Sequence, residues 1–144
     1  MGAYPNYRVA VEAILKKDNK VLLMKRADDC EVAPGVWSVP AGKVKYEEIP
    51  IDGVIRECKE ETGFDVKVIK EVDCRAFKTV ISGQEAFRLV YSYHVELLDE
   101  TKDELKISKE HSDYEWITKS DINNPKYNSL IQELKDIIVN KILV

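Results

Sequence analysis

The chain has 144 residues, with 22 Lys plus Arg against 26 Asp plus Glu, a formal net charge of −4 and a pI near 5.3; this offers no basic field for polymeric nucleic acid and points to metal bridging for an anionic substrate. A domain of this length removes roughly 70% of its unfolded surface from water, so one enzyme-sized domain over residues 1–144 is expected, with no room for a second. Cys30, Cys58 and Cys74 are odd in number and lack zinc-type spacing, the stretch from Met1 to Arg8 has neither a basic region nor an apolar run, and no segment approaches the roughly 18 apolar residues of a membrane span; a cytoplasmic protein with free thiols and no membrane association is expected.

From Arg8 to Lys16 the residues Val9, Val11, Ala13 and Leu15 alternate on one side of a strand, Asp18-Asn19 supplies a turn, and Val21 to Met24 completes a hairpin. Asp28, Asp29, Pro34 and Gly35 mark the stretch from Ala27 to Pro34 as a loop near the mouth of a site. Pro50 suits a first helical turn, Asp52 the positive end of the helix dipole, and Gly63 a left-handed C-terminal cap, so a helix is expected between them. Val66 to Ile69 and Val72 to Val80 read as extended, and Ser82-Gly83 turns the chain. Phe87, Leu89, Tyr91, Tyr93, Val95 and Leu97 then alternate through a long strand. Asp99 to Ser112 is charged and poor in large apolar residues, which suggests a flexible loop over the sheet. Leu130, Ile131, Leu134, Ile137, Ile138 and Ile142 recur at helical spacing, giving an amphipathic C-terminal helix that begins after Asn123-Asn124-Pro125. This order of elements alone leaves α+β and α/β open.

Within the first helix Glu57, Glu60 and Glu61 stand at i, i+3 and i+4, which at 100° per residue places them within about a quarter turn of one face. Like charges so close resist joint ionisation, and a hard divalent cation resolves the conflict. Ligands made of oxygen alone suit Mg²⁺ or Mn²⁺ rather than Zn²⁺. The competing interpretation is a solvated acidic face, common in a chain that is 33% charged. Against it, Ile51, Val54, Ile55 and Cys58 form an adjoining apolar arc, which packs one side of the helix. Gly53 keeps the carboxylate side open at a helix-propensity cost of about 1 kcal/mol.

The segment from Gly42 to Phe64 resembles the box of the Nudix hydrolase family (MutT-like). The family's fixed Gly, Glu, Arg-Glu, Glu-Glu and Gly are met by Gly42, Glu48, Arg56-Glu57, Glu60-Glu61 and Gly63, while Cys58 and Phe64 occupy the two apolar positions as core-compatible substitutes. Val36 to Ala41 is similar to the short strand and turn that precede the box, Val21 to Arg26 to an early strand, and Tyr114 to Ile117 to the late strand that closes the site. Ala41 replaces the family's common Gly, and Ile49 replaces a common Ser or Thr, which weakens a helix N-cap worth about 1 kcal/mol. The resemblance implies an α/β fold, an α/β/α sandwich whose mixed β-sheet is flanked by the box helix and the C-terminal helix. It also implies Mg²⁺-dependent hydrolysis, with Mn²⁺ as a substitute, of the pyrophosphate bond in a nucleoside diphosphate linked to another group, as in nucleoside triphosphate pyrophosphohydrolases.

On this resemblance, Glu57, Glu60 and Glu61 with the Ala41 carbonyl hold the metal, and Glu48 and Arg56 form an ion pair that fixes the loop to the helix. The general base is open between Glu57 and Glu60 in the helix and Glu115, Asp113 and Glu110 outside it; Glu115 is favoured because it directly precedes Trp116 on the closing strand. Arg26 and Lys43 are candidates for gripping phosphates, each weighed against simple solvation, and Trp37 for stacking on a base, weighed against a core role. His94 reads as a satisfied, half-buried histidine, and His111 as a minor candidate for substrate contact. The partner expected is a small-molecule nucleotide. Nucleoside triphosphates, ADP-ribose, nucleotide sugars and dinucleoside polyphosphates all fit. A non-catalytic nucleotide sensor on the same fold and an isomerase of the same superfamily are the other functional classes. The alternating strands and the apolar C-terminal helix offer a surface for a homodimer.

Overall fold

The computed structural model describes residues 6–102 and 104–144. Residues 1–5 of the expected start segment, and Asp103 within the expected 99–112 loop, lie outside the described residues. Strands β1 (Tyr7–Lys17) and β2 (Lys20–Arg26) form the expected hairpin. Asp18 (φ 51°) and Asn19 (φ 61°) supply the two positive φ angles that a tight two-residue turn between right-twisted strands requires. Then follow β3 (Trp37–Ser38), β4 (Ala41–Lys43), α1 (Pro50–Thr62), β5 (Val66–Ile81), β6 (Gln84–Leu97), β7 (His111–Ile117) and α2 (Gln132–Ile137). The 7-stranded sheet runs β3-β2-β1-β6-β5, with β4 on β1 and β7 on β2; it is mixed because β1 and β6 are parallel.

Alternation along the central strands assigns the two helical layers. Val11, Ala13, Leu15, Leu22 and Met24 pack with Val54, Cys58 and Phe64 on the α1 side. Ile14, Val21 and Leu23 pack with Leu134, Ile137, Ile138 and Ile142 on the α2 side. A one-residue slip in β1 or β2 would exchange these sets, so each buried Leu or Ile, worth about 1.5–3 kcal/mol, also fixes the register. The fold is the expected α/β sandwich, with its sheet between α1 and α2.

The sheet also parts. β1 meets β2 only where Lys16 is opposite Val21 and Lys17 opposite Lys20, whereas its Ala10 to Glu12 stretch pairs with β4. β4 thus takes the place beside β1 that β2 leaves, and α1 packs against β4.

Helix α1 has Pro50 at its start, Asp52 in its first turn and Gly63 (φ 80°) as its left-handed cap, whose N–H donates to the Lys59 carbonyl. Ile49 gives no side-chain cap, in keeping with its apolar side chain. Within the expected apolar arc Val54 and Cys58 are fully buried, but Ile51 is 45% exposed and contributes no core surface. The two extended stretches after the helix are one strand, β5, with irregular register between Val68 and Lys70 and again between Glu71 and Asp73. The break in the alternation pattern there is a pair of bulges rather than a turn.

Two expectations are corrected. The segment after β6 packs against the C-terminal end of α1 instead of lying over the sheet, with the Lys106 N–H donating to the Thr62 carbonyl at 2.9 Å and Leu105 joining the α1-side core. The C-terminal helix does not start after Pro125: short 3-10 turns occupy Lys119–Asn123 and Pro125–Tyr127, and α2 starts only at Gln132 because Ile131 is extended. Past α2 the turns widen, and the Leu143 N–H donates to the Ile138 carbonyl at 2.8 Å. Among the described residues no helix is long and apolar enough to cross a membrane.

Candidate active site

Gly42 lies opposite Val11 on β4 and so faces α1. A Cβ built there would collide with the carboxylate of Glu57. The missing side chain is therefore the space that Glu57 occupies. One turn further on, Glu61 is only 3% exposed. Its Oε2 accepts the Ala41 N–H at 2.8 Å, while its Oε1 is buried with no hydrogen-bond partner among the described residues. Burial first, then the charge of Glu57, pushes the Glu61 carboxyl up to about 9. Burial raises Glu57 as well, opposed by its bond from Arg56.

Arg56 organises the rim. Its Nε and Nη2 donate to Glu48 at 2.8 and 2.9 Å, Nη1 donates to Glu57 at 2.9 Å and to Glu60 at 3.1 Å, and Nη2 also reaches the Lys43 carbonyl at 3.1 Å. This fork is a use of guanidinium geometry that a lysine cannot reproduce. Glu48 accepts the Lys45 N–H at 3.0 Å too, and the Arg56 bond is the main reason its carboxyl falls to about 2. Glu48 fits against the helix because residue 53 has no side chain: a Cβ on Gly53 would stand 3.0 Å from Glu48 Oε1. Loop, β4 and helix are thus joined through one arginine.

These positions decide how well a divalent cation fits. Among the described residues no three His, Cys, Asp or Glu side chains are gathered around a common point. The expected trio is not assembled, because Arg56 holds Glu60 out along the helix surface, where its side chain is 53% exposed. Glu57 and Glu61 do fit: both are oxygen donors, the charge of Glu57 raises the cost of ionising Glu61, and Glu61 presents a buried oxygen with nothing bound to it among the described residues.

A cleft of about 680 Å³ runs beside this pair, lined by Arg26, Lys43, Lys45, Arg56, Glu57 and Glu110, with Cys30, Glu31 and Val32 from the loop after β2. That loop is the one expected at the site mouth. Arg26 Nε donates to the Val32 carbonyl at 2.8 Å, and Ser82 donates to Glu31, tying the tip of the β5–β6 hairpin to the loop. Arg26 and Lys43 therefore stand in the same cleft as Glu57.

Two candidates belong elsewhere. Glu115 is in register with Leu23, an α2-side residue, so it points away from α1; its carboxylate binds Lys126 and the Tyr127 hydroxyl. It cannot serve as ligand or base at Glu57. Glu110 lines the cleft in its place and adds to the upward push on both Glu57 and Glu61. Trp37 is 4% exposed in the α2-side core, with its ring edge-on to Tyr127 at 5.3 Å, so no base can stack on it. His94 is buried beside Glu96, at 3.0 Å. His111 is buried too, and burial followed by the charge of Arg26 lowers it below the ordinary imidazole range.

One polar cluster has no counterpart among the sequence candidates. Glu12 is 6% exposed, accepts Arg75 Nη1 and Nη2 at 2.7 Å each, and accepts the Ser92 hydroxyl at 2.7 Å. The available signal was a charged residue in the middle of an alternating strand, Glu12 between Val11 and Ala13.

A family model described as a NUDIX domain matches residues 6–136. An ADP-ribose pyrophosphatase of Methanocaldococcus jannaschii is 43% identical over 65 residues, which is 45% of this chain but only 37% of that protein's length. The nucleoside triphosphatase NudI of Escherichia coli K12 is 29% identical over 121 residues, 80% of this chain and 84% of that one. Among solved structures, the MutT protein of Methanosarcina mazei Go1 superposes with a TM-score of 0.73 at 22% identity, covering 95% of this chain and 94% of the other. A NUDIX hydrolase of Nitrosomonas europaea does so with a TM-score of 0.73 at 25% identity, covering 96% and 74%.

Proposed function

The chain belongs to the Nudix family and is a hydrolase of phosphoric anhydride bonds; from that premise we propose that it cleaves the pyrophosphate bond of a nucleoside diphosphate linked to a further group, with nucleoside triphosphates as the first substrate class. The observation that carries this reading is the buried Glu61 Oε1 without a partner, one helical turn from Glu57, which lines a cleft together with Arg26, Lys43 and Lys45. In a closed structural carboxylate the protein's own donors would saturate the group, as Arg75 and Ser92 do at Glu12.

Glu57 and Glu61, with the backbone at Ala41, would hold Mg²⁺ or Mn²⁺, and such an ion supplies neutralisation of phosphate oxygens and a more acidic water. The chain's own residues do the rest. Arg26, Lys43 and Lys45 draw phosphate oxygens into the cleft and oppose the charge that builds on the leaving oxygen, more strongly in the transition state than in the ground state. Arg56 keeps the Glu57 carboxylate pressed against Gly42. Water attacks phosphorus, the anhydride oxygen departs, and the water's proton passes to a carboxylate of the cleft wall; Glu31, Glu57 and Glu110 line it, and of these Glu31 is engaged by the Ser82 hydroxyl.

The choice of nucleoside triphosphates follows from the relative matched over most of both lengths, whose name is nucleoside triphosphatase. ADP-ribose is second, because the corresponding match is confined to part of that relative. The test is a panel of nucleoside triphosphates, ADP-ribose, nucleotide sugars and dinucleoside polyphosphates with Mg²⁺ or Mn²⁺, scoring pyrophosphate, phosphate and mononucleotide separately. Pyrophosphate and mononucleotide released from a triphosphate is the expected outcome. Tight binding of a nucleotide with no product from any compound would replace the reading with that of a sensor.

A further inference from the structure

We infer that His111 is a positioning residue for Glu61, holding through its Nε2–H the second oxygen of the carboxylate that the Ala41 N–H holds at the first. The inference rests on the reading of Glu61 as a cation ligand. Glu61 Oε2 is taken by Ala41 at 2.8 Å, and Oε1 is buried without a partner. His111 Nε2 stands 4.0 Å from that oxygen, with both side chains almost wholly buried. This separation exceeds a hydrogen bond but is closed by a shift of about 1 Å, the difference from ordinary N–H···O geometry.

Of the two neutral tautomers, the one with its proton on Nε2 serves this role. Nδ1 lies 3.4 Å from the Ser108 hydroxyl. A neutral imidazole carries a single N–H, so an Nδ1 that accepts from Ser108 leaves the N–H on Nε2, facing Oε1. The backbone fixes the ring's origin: the His111 N–H donates to the Ser108 carbonyl at 3.2 Å, and the Ala27 N–H donates to the neighbouring Glu110 carbonyl at 2.8 Å. His111 is also the residue paired with Arg26 beyond the irregularity between Lys25 and Arg26, and irregularities of this kind re-aim a side chain beside a site. Each carboxylate oxygen has two lone pairs, so one bond from Ala41 and one from His111 fix the plane of Glu61 while leaving each oxygen free to bind a cation.

The test measures Mn²⁺ affinity of the substrate-free protein by electron paramagnetic resonance titration, for the wild type and for His111→Leu, His111→Gln and His111→Asn, each also combined with Glu61→Gln. His111→Leu should weaken Mn²⁺ binding about 10–100-fold, the usual cost of losing a partner that orients a ligand. His111→Gln, whose amide nitrogen reaches the place of Nε2, should keep most of the affinity, and His111→Asn, whose amide is too short, should follow Leu. In the Glu61→Gln background the His111 substitutions should add nothing. Wild-type affinity in both the Leu and Asn variants, or a loss that adds in full to that of Glu61→Gln, overturns the inference; if Leu does not fold, the Asn and Gln pair carries the comparison. Wild-type Mn²⁺ affinity in Glu61→Gln alone overturns it as well, and identifies the cation reading of Glu61 as the step that failed.

Discussion

Glu12 and Glu61 are both nearly inaccessible, at 6% and 3% exposure, on opposite faces of one sheet, yet they are treated in opposite ways. Glu12, on the α2 side, is closed: Arg75 grips both oxygens and Ser92 adds a third donor. Glu61, on the α1 side, is left open, with one donor and one bare oxygen. A buried carboxylate with a full set of partners is architecture, since breaking it leaves an uncompensated charge. A buried carboxylate with an empty side raises the free energy of the metal-free fold, and that cost is tolerable where a ligand relieves it. The difference between the two faces is thus a difference in satisfaction rather than in composition or depth.

The largest effect expected on this contrast is in catalysis. Glu61→Gln should lower kcat/KM by about 10³-fold, the several kcal/mol that a metal-binding charge contributes, whereas Glu12→Gln should leave kcat per folded molecule in place. Steady-state kinetics on both variants would break the comparison if Glu12→Gln were the more damaged enzyme. The order reverses for stability. Glu12→Gln should cost about 3 kcal/mol in denaturant unfolding, the low end for a buried pair that loses one member, because the Arg75 side chain retains 18% exposure to water. Glu61→Gln should not destabilise the metal-free protein at all above neutral pH.

The smallest effect sharpens the reason. Glu61 titrates at about 9 in the fold against an ordinary 4.5, so the native state holds a proton that the unfolded chain releases. Stability of the metal-free protein is then highest below about pH 4.5 as far as this group is concerned, and falls as pH rises towards 9. In chelator, the unfolding free energy read from the denaturation midpoint should fall across that window, by at most about 1.4 kcal/mol for each pH unit. Glu61→Gln should flatten the curve, and added Mg²⁺ or Mn²⁺ should restore the wild type at high pH. A midpoint that climbs through the same window in chelator would contradict the open state of this carboxylate.

What could be read in advance was whatever depends on neighbours in the chain. The Asp18-Asn19 turn, the Pro50 start, the Gly63 cap and the apolar Val54 and Cys58 are local consequences of torsion and helical spacing, and they stand as expected. Glu115 was misplaced for a different reason, which also left Trp37 open between a base-stacking and a core role. Period two tells which residues share a face of a strand but not which face of the sheet that is, and only the pairings of Glu115 with Leu23 and of Trp37 with Lys25 resolve it. Glu60 shares its helix face with Glu57 and Glu61, as spacing requires, yet its carboxylate follows Arg56, a competition among side chains that spacing does not encode. Glu12 and Arg75 are 63 residues apart, and His111 reaches Glu61 only through an irregular register with β2. The site is therefore legible where one helix builds it and illegible where strands distant in the chain converge on it.

Gly42 carries a consequence for heredity. The atoms that a Cβ at this position would strike belong to the Glu57 carboxylate itself, the far end of a long side chain that can swing aside, and not to the backbone. A side chain at 42 therefore leaves the fold standing but displaces the carboxylate from the place for which the space exists. The two positions are coupled as a mould and its cast. Among descendants of this chain, drift away from glycine at 42 should be found where the acid at 57 has already been lost, and with it the reaction.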